Sequence, residues 1–127
     1  MMRAKVETNK APQAIGPYSQ AIKANGFLFI SGQIPLDPQT GQMTALDIVA
    51  QTRQAMENLR AILEAEGLTF ADVVKTTIYL TDLQDFARVN ETYSLYFDDD
   101  PPARSTVQVA ALPKGAKVEI EAVAALR

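Results

Sequence analysis

Residues 45–66 repeat apolar side chains at helical spacing, and the period changes to that of a strand only a few residues later. Val49, Thr52, Met56, Leu59, Ile62 and Leu63 fall on one face of a helix. Thr44 with Asp47 resembles a capping box with Asp in the Glu place, and Gly67 is a natural C-terminal stop. Val73-Val74-Lys75-Thr76-Thr77-Ile78-Tyr79-Leu80 is then β-branched and aromatic, the composition of a strand. A helix with one apolar face beside such a strand demands a layered fold, because each needs the other to cover its apolar surface.

The remaining chain supplies more of the same two element types. Residues 4–8 form a short edge strand, and residues 9–19, with Pro12, Gly16 and Pro17, form a loop. Residues 21–24 and 27–31 flank Asn25-Gly26, a pair that accepts positive φ and so predicts a tight hairpin. Gly32-Gln33-Ile34-Pro35 ends the second strand of that hairpin. A second helix is expected over residues 84–97, capped by Asp82 or Asp85, with Phe86, Val89, Tyr93 and Phe97 as its apolar stripe. The run Asp98-Asp99-Asp100-Pro101-Pro102 breaks it. This order, in 127 residues, reads as one α+β domain over residues 1–127, a sheet with two helices packed on one face.

The last two strands carry charge where core is expected. Alternation puts Arg104, Thr106 and Gln108 on one face of the 102–110 strand, and Lys117, Glu119 and Glu121 on one face of the 117–126 strand. Read from the residues alone, these strands pair as a hairpin through a turn at Pro113 and Gly115. The sheet face without helices would then hold some of Lys75, Thr77, Tyr79, Arg104, Thr106, Glu119 and Glu121 among apolar neighbours. Such a mixed face points to association between copies, with sites in the seams.

Composition narrows the chemistry. The chain has no histidine and no cysteine, which excludes Ser-His-Asp and Cys-His catalysis and zinc sites built on either residue. Acid–base work falls to Asp, Glu, Lys or Tyr. Three consecutive acids at 98–100 lack the alternate spacing of a calcium loop, and no metal is expected. Twelve basic against fifteen acidic residues, net −3, argue against nucleic acid as a partner. No apolar run is long enough for a bilayer, no apolar signal core opens the chain, and the lack of cysteine fits a cytoplasmic home.

Pro102-Ala103-Arg104-Ser105, followed at the right interval by Val118-Glu119-Ile120-Glu121, resembles the signature of the RidA/YjgF family. Ala14-Ile15-Gly16-Pro17-Tyr18-Ser19-Gln20, Ser31-Gly32-Gln33-Ile34-Pro35, Val74-Lys75-Thr76-Thr77 and Asp85-Phe86 with Val89-Asn90 agree in order and spacing. The resemblance implies a chorismate-mutase-like mixed sheet, a homotrimer with clefts between subunits, and the 117–126 strand inside the sheet beside 72–81. It implies cofactor-free hydrolysis of 2-imino acids, such as 2-iminopropanoate and 2-iminobutanoate, to 2-oxo acids and ammonia. Pyridoxal-phosphate dehydratases would supply these substrates, which makes them indirect partners.

The resemblance also assigns roles. Arg104 would grip the substrate carboxylate, a task suited to a planar two-pronged cation; an ion pair with Glu119 or Glu121 is the structural alternative. Glu119 would hold the attacking water, while Glu121 is read as a partner for Arg104 or Lys117. Tyr18 would close the cleft, Gly32 would offer its N–H to the carboxylate, and Asn90 would support the site. Thr106 stands where many relatives have cysteine, so its hydroxyl or backbone would reach ligand and no thiol role carries over. The same clefts would serve a non-enzymatic ligand-binding or holdase-like trimer, and relatives have been described as ribonucleases.

Overall fold

The computed structural model describes residues 2–44 and 46–127. Its strands are β1 (Ala4–Val6), β2 (Ala21–Ala24), β3 (Phe27–Gln33), β4 (Val73–Leu80), β5 (Ala103–Gln108) and β6 (Val118–Ala125). Its helices are α1 (Ile48–Ala65) and α2 (Phe86–Ser94). The strands form one mixed sheet in the order β1-β2-β3-β6-β4-β5. All neighbours are antiparallel except β4 and β5, which are parallel.

The hairpin forms as expected, with Asn25 at φ 52° and Gly26 at φ 84°. The pairing of β5 with β6 does not form. β6 lies between β3 and β4, and β5 flanks the far side of β4, as the family resemblance implies. A parallel neighbour needs a crossover, and α2 provides the one between β4 and β5. The residues between β5 and β6 then step over β4. Their turn is a 3₁₀ segment, Pro113–Gly115.

α1 starts later than expected. Its cap is Asp47, whose carboxylate accepts from the Ala50 N–H at 3.1 Å. Thr44 takes no part in a capping box; its hydroxyl donates to the Pro35 carbonyl at 3.2 Å. Ala45 lies outside the described residues. α2 is shorter than residues 84–97, because Leu83–Asp85 is a separate 3₁₀ turn. Asp82 caps that turn through the Gln84 N–H at 2.9 Å, and Asp85 makes no side-chain cap.

Both helices cover one face of the sheet. Met56, Leu59, Ile62 and Leu63 of α1 pack with Leu28, Ile78, Leu80, Val118 and Ile120, all 0–1% exposed. Each contributes about 1.5–3 kcal/mol by burial. Of the three polar residues of α1 buried in this layer, Gln51, Thr52 and Asn58, two tie down what surrounds the site. Asn58 donates to the carbonyls of Ile34 and Leu36 at 3.2 and 3.0 Å, fixing the segment that follows β3. The Gln51 side-chain oxygen accepts from the Lys117 N–H at 2.9 Å, fixing the entry to β6. The loop before β2 is held by buried Gln20, which accepts from the Thr8 N–H at 2.7 Å and donates to the carbonyls of Thr8, Ala11 and Pro12.

The other sheet face is uncovered. Phe27 and Phe29 are 40% and 46% exposed there, beside Val123, Tyr79, Glu119 and Glu121. No helix among the described residues is long and apolar enough to cross a membrane.

Candidate active site

The candidate residues separate into two groups on opposite faces of the sheet. Arg104 pairs in register with Thr76, a buried residue of the helix-covered face. Its side chain follows: Nη1 donates to Asn90 Oδ1 on α2 at 2.7 Å. The guanidinium also lies 5.5 Å from the Phe86 ring centroid and 5.1 Å from that of Tyr93. Tyr93 is itself fixed, since its hydroxyl lies 2.6 Å from Thr76 Oγ1 in a buried hydrogen bond. Arg104 makes no ion pair among the described residues, so neither Glu119 nor Glu121 is its partner. Thr106 follows on the same face of β5, in register with buried Ile78. Its Oγ1 is buried without a hydrogen-bond partner.

Glu119 lies on the uncovered face, in register with Tyr79. Of the residues from which that face was expected to draw, Glu119 and Glu121 lie on it and Arg104 and Thr106 do not. The reason is the parallel register: Arg104 opposite Thr76 is one residue out of phase with Glu119 opposite Tyr79. Glu119 is half-buried, and burial first and the neighbouring Glu121 second push its carboxyl above the ordinary glutamate range. Glu121 has its own partner, accepting from the Tyr79 hydroxyl at 3.1 Å.

Gly32 is built against Glu119. A Cβ at position 32 would lie 2.5 Å from Oε2 and 2.8 Å from Cδ of that carboxylate, so glycine leaves the carboxylate where it stands and a side chain would push it aside. The close approach arises at a bulge, where the β3–β6 register slips between Ile30 and Gln33. Ser31 anchors the bulge: its N–H donates to the Gln20 carbonyl at 2.9 Å and its hydroxyl to the Ser19 carbonyl at 2.6 Å. Tyr18 heads the adjoining loop, 54% exposed, and lines a cavity with Gly32.

One protomer thus holds a carboxylate group of residues, Glu119, Gly32 and Tyr18, and a cation group, Arg104, Asn90 and Thr106. The sheet separates them. The residues missed in the sequence are Phe86, Tyr93 and Thr76. Phe86, Asn90 and Tyr93 stand at i, i+4 and i+7, one helical stripe that runs beside Arg104. Phe86 and Tyr93 read as core because their spacing is the same as that of packing residues. No group of three or more acids able to hold a metal occurs among the described residues.

The architecture defines a class first: an α+β fold of a six-stranded mixed sheet with two helices, open on one side. Residues 8–126 match the family model described as Endoribonuclease L-PSP. The chain is 59% identical over 126 residues to Protein DfrA of Myxococcus xanthus, covering 98% of this chain and 96% of that one. It is 50% identical over 124 residues to the 2-iminobutanoate/2-iminopropanoate deaminase of Homo sapiens, covering 98% and 90%. The crystal structure of E. coli TdcF with bound serine superposes with a TM-score of 0.92 at 48% identity, covering 98% and 99%. The chain belongs to the RidA/YjgF/L-PSP family.

Proposed function

We propose that this protein hydrolyses 2-imino acids such as 2-iminopropanoate and 2-iminobutanoate to 2-oxo acids and ammonia. The human relative carries that activity in its name, and TdcF binds serine, a small amino acid with the same carboxylate. One observation carries the reading. Among the described residues the guanidinium of Arg104 has no carboxylate partner and the raised carboxyl of Glu119 has no cation partner, yet each is held in a prepared setting. A 2-imino acid supplies what both lack: a carboxylate for Arg104 and an electrophilic C=N carbon near Glu119.

The chemistry then needs no further group. Arg104, stacked between two rings and oriented by Asn90, presents its free edge to the carboxylate. The unpartnered Thr106 hydroxyl and the Gly32 N–H complete the polar contacts. Glu119 takes a proton from water as its oxygen bonds to C2 of the protonated imine. The carbinolamine receives that proton on nitrogen; as the C–N bond breaks, Glu119, ionised again, takes the hydroxyl proton, leaving the 2-oxo acid and ammonia, and that last proton passes through water to ammonia, which departs as ammonium. A carboxyl above the ordinary range suits this, since it binds the proton well enough to hold it between the two steps.

Because the two groups face opposite ways, the site is composed of two protomers. The assembly we infer is the homotrimer of the chorismate-mutase-like fold, with Arg104, Asn90 and Thr106 from one copy and Glu119, Gly32 and Tyr18 from its neighbour. The test is complementation. Arg104→Ala and Glu119→Gln each keep only a small residual activity alone. Co-refolded in equal amounts, they regain about a quarter of wild-type activity, the share of seams in which both groups are intact. Activity confined to the sum of the separate variants would refute a shared site.

A further inference from the structure

Gly32 borders more than the Glu119 carboxylate. With Tyr18 it opens onto a cavity of about 320 Å³, larger than a methyl or ethyl side chain needs. Its walls are mainly apolar, from Pro12, Ile15, Ile34 and Leu36. One cation lines it, Lys114, in the turn between β5 and β6. Lys114 is exposed and forms no ion pair among the described residues. Its backbone is left-handed, φ 57° and ψ 24°, between Pro113 and Gly115. A residue with a side chain is strained in that region, and such residues gather at ligand sites.

We propose that this cavity receives the substrate side chain and that Lys114 sets its charge preference: uncharged and acidic side chains are accepted, cationic ones rejected. The inference rests on the deaminase reading, which puts C2 beside Glu119. Gly32 contacts that carboxylate on one side and lines the cavity on the other, so a chain leaving C2 away from the carboxylate grip enters the apolar walls. An acidic end about 6 Å from the exposed Lys114 ammonium gains, and a cationic end loses, about threefold in affinity at the dielectric of water, a spread of about tenfold between them.

The experiment measures binding of three 2-oxo acids of similar length by calorimetry. They are 2-oxohexanoate, 2-oxoadipate and the cationic 2-oxo-6-(trimethylammonio)hexanoate. The proteins are the wild type, Lys114→Asn and Lys114→Asp; both replacements accept left-handed backbone and the position is exposed, so the fold is retained. Turnover of 2-iminopropanoate generated in situ is followed in parallel. The wild type is expected to bind 2-oxoadipate about tenfold more tightly than the cationic acid, Lys114→Asn to lose that preference, and Lys114→Asp to reverse it. A preference unchanged within twofold across the three proteins overturns the subsite, even where imine turnover stands. A preference that follows the charge at 114 with no imine turned over supports the subsite and overturns the deaminase reading alone. Failure of all three acids to bind overturns the subsite, and the deaminase reading falls with it only where 2-iminopropanoate is not turned over.

Discussion

Gly32→Ala separates the geometry of the site from the stability of the fold. The added Cβ would meet Glu119 Oε2 at 2.5 Å, Cδ at 2.8 Å and Cγ at 3.0 Å, against 3.4 Å or more for ordinary contact. The clash is with the far end of a side chain, so the carboxylate swings aside by about 1 Å while the backbone stays. Position 32 has no positive φ, and alanine is favoured over glycine in a strand by about 0.5–1 kcal/mol. Thermal stability should therefore hold or rise slightly. Activity should not, because moving a catalytic group by about 1 Å costs on the order of a hundredfold. The variant keeps its N–H, so a carboxylate contact made by that donor survives, and the loss falls on kcat rather than KM. The assay is the decay of an imine generated in situ by an amino-acid oxidase, with oxo-acid release as the signal. A double variant adds the decisive control. If the clash acts through the 119 side chain alone, Gly32→Ala in a Glu119→Gln background costs almost nothing further. Full additivity, or a kcat within threefold of wild type for the single variant, would refute the reasoning.

Two further outcomes follow from the same coordinates. Glu121→Gln removes the smaller of the two causes that raise the Glu119 carboxyl and leaves burial in place. Activity that needs ionised Glu119 is lost as pH falls through its raised value, so this acid limb should move to lower pH without reaching that of an ordinary glutamate. Stability has the opposite sign: a carboxyl raised in the folded state loses stability as pH rises through its titration, and the variant should lose less. A pH profile unchanged in Glu121→Gln would remove Glu121 from the site's electrostatics. Gln20→Ala deletes one accepted and three donated hydrogen bonds at a buried position and releases the loop that carries Tyr18. It should cost about 3 kcal/mol in denaturant unfolding; a loss under about 1 kcal/mol would mean that the loop is held elsewhere.

The elements were legible where a local pattern decides them. Asn25-Gly26 fixed a hairpin because both residues accept positive φ, and the strand from Val73 to Leu80 was visible in its β-branching. The end of α2 was less so, since Tyr96 and Phe97 continue a helical spacing after the helix has stopped at Ser94. They are placed by Phe70, whose ring meets both edge-on at 5.2 and 5.5 Å, a contact that spacing along the chain cannot reveal. Arg104, Glu119, Gly32 and Asn90 were all named from the sequence, and the structure adds a contact that was not, the hydrogen bond from Arg104 to Asn90. What the sequence could not show is which residues face each other across the sheet.

That failure has a physical origin with a consequence for function. Alternation along a strand tells which residues share a face of that strand, and nothing about its phase against another. Two strands joined as a hairpin have their phase set by the turn. β5 and β6 are not so joined: β4 lies between them, parallel to one and antiparallel to the other. The relative phase of Arg104 and Glu119 therefore passes through Thr76 and Tyr79, three residues apart on β4 and so on opposite faces. A sheet that separates a cation from a carboxylate in this way prevents them from neutralising each other within the chain. Among the described residues neither is neutralised, Arg104 lying beside two rings and Glu119 being half-buried. A change of one residue in the β4–β5 register would bring Arg104 to the face of Glu119 and allow an internal ion pair, which would remove the basis of the two-protomer site proposed above.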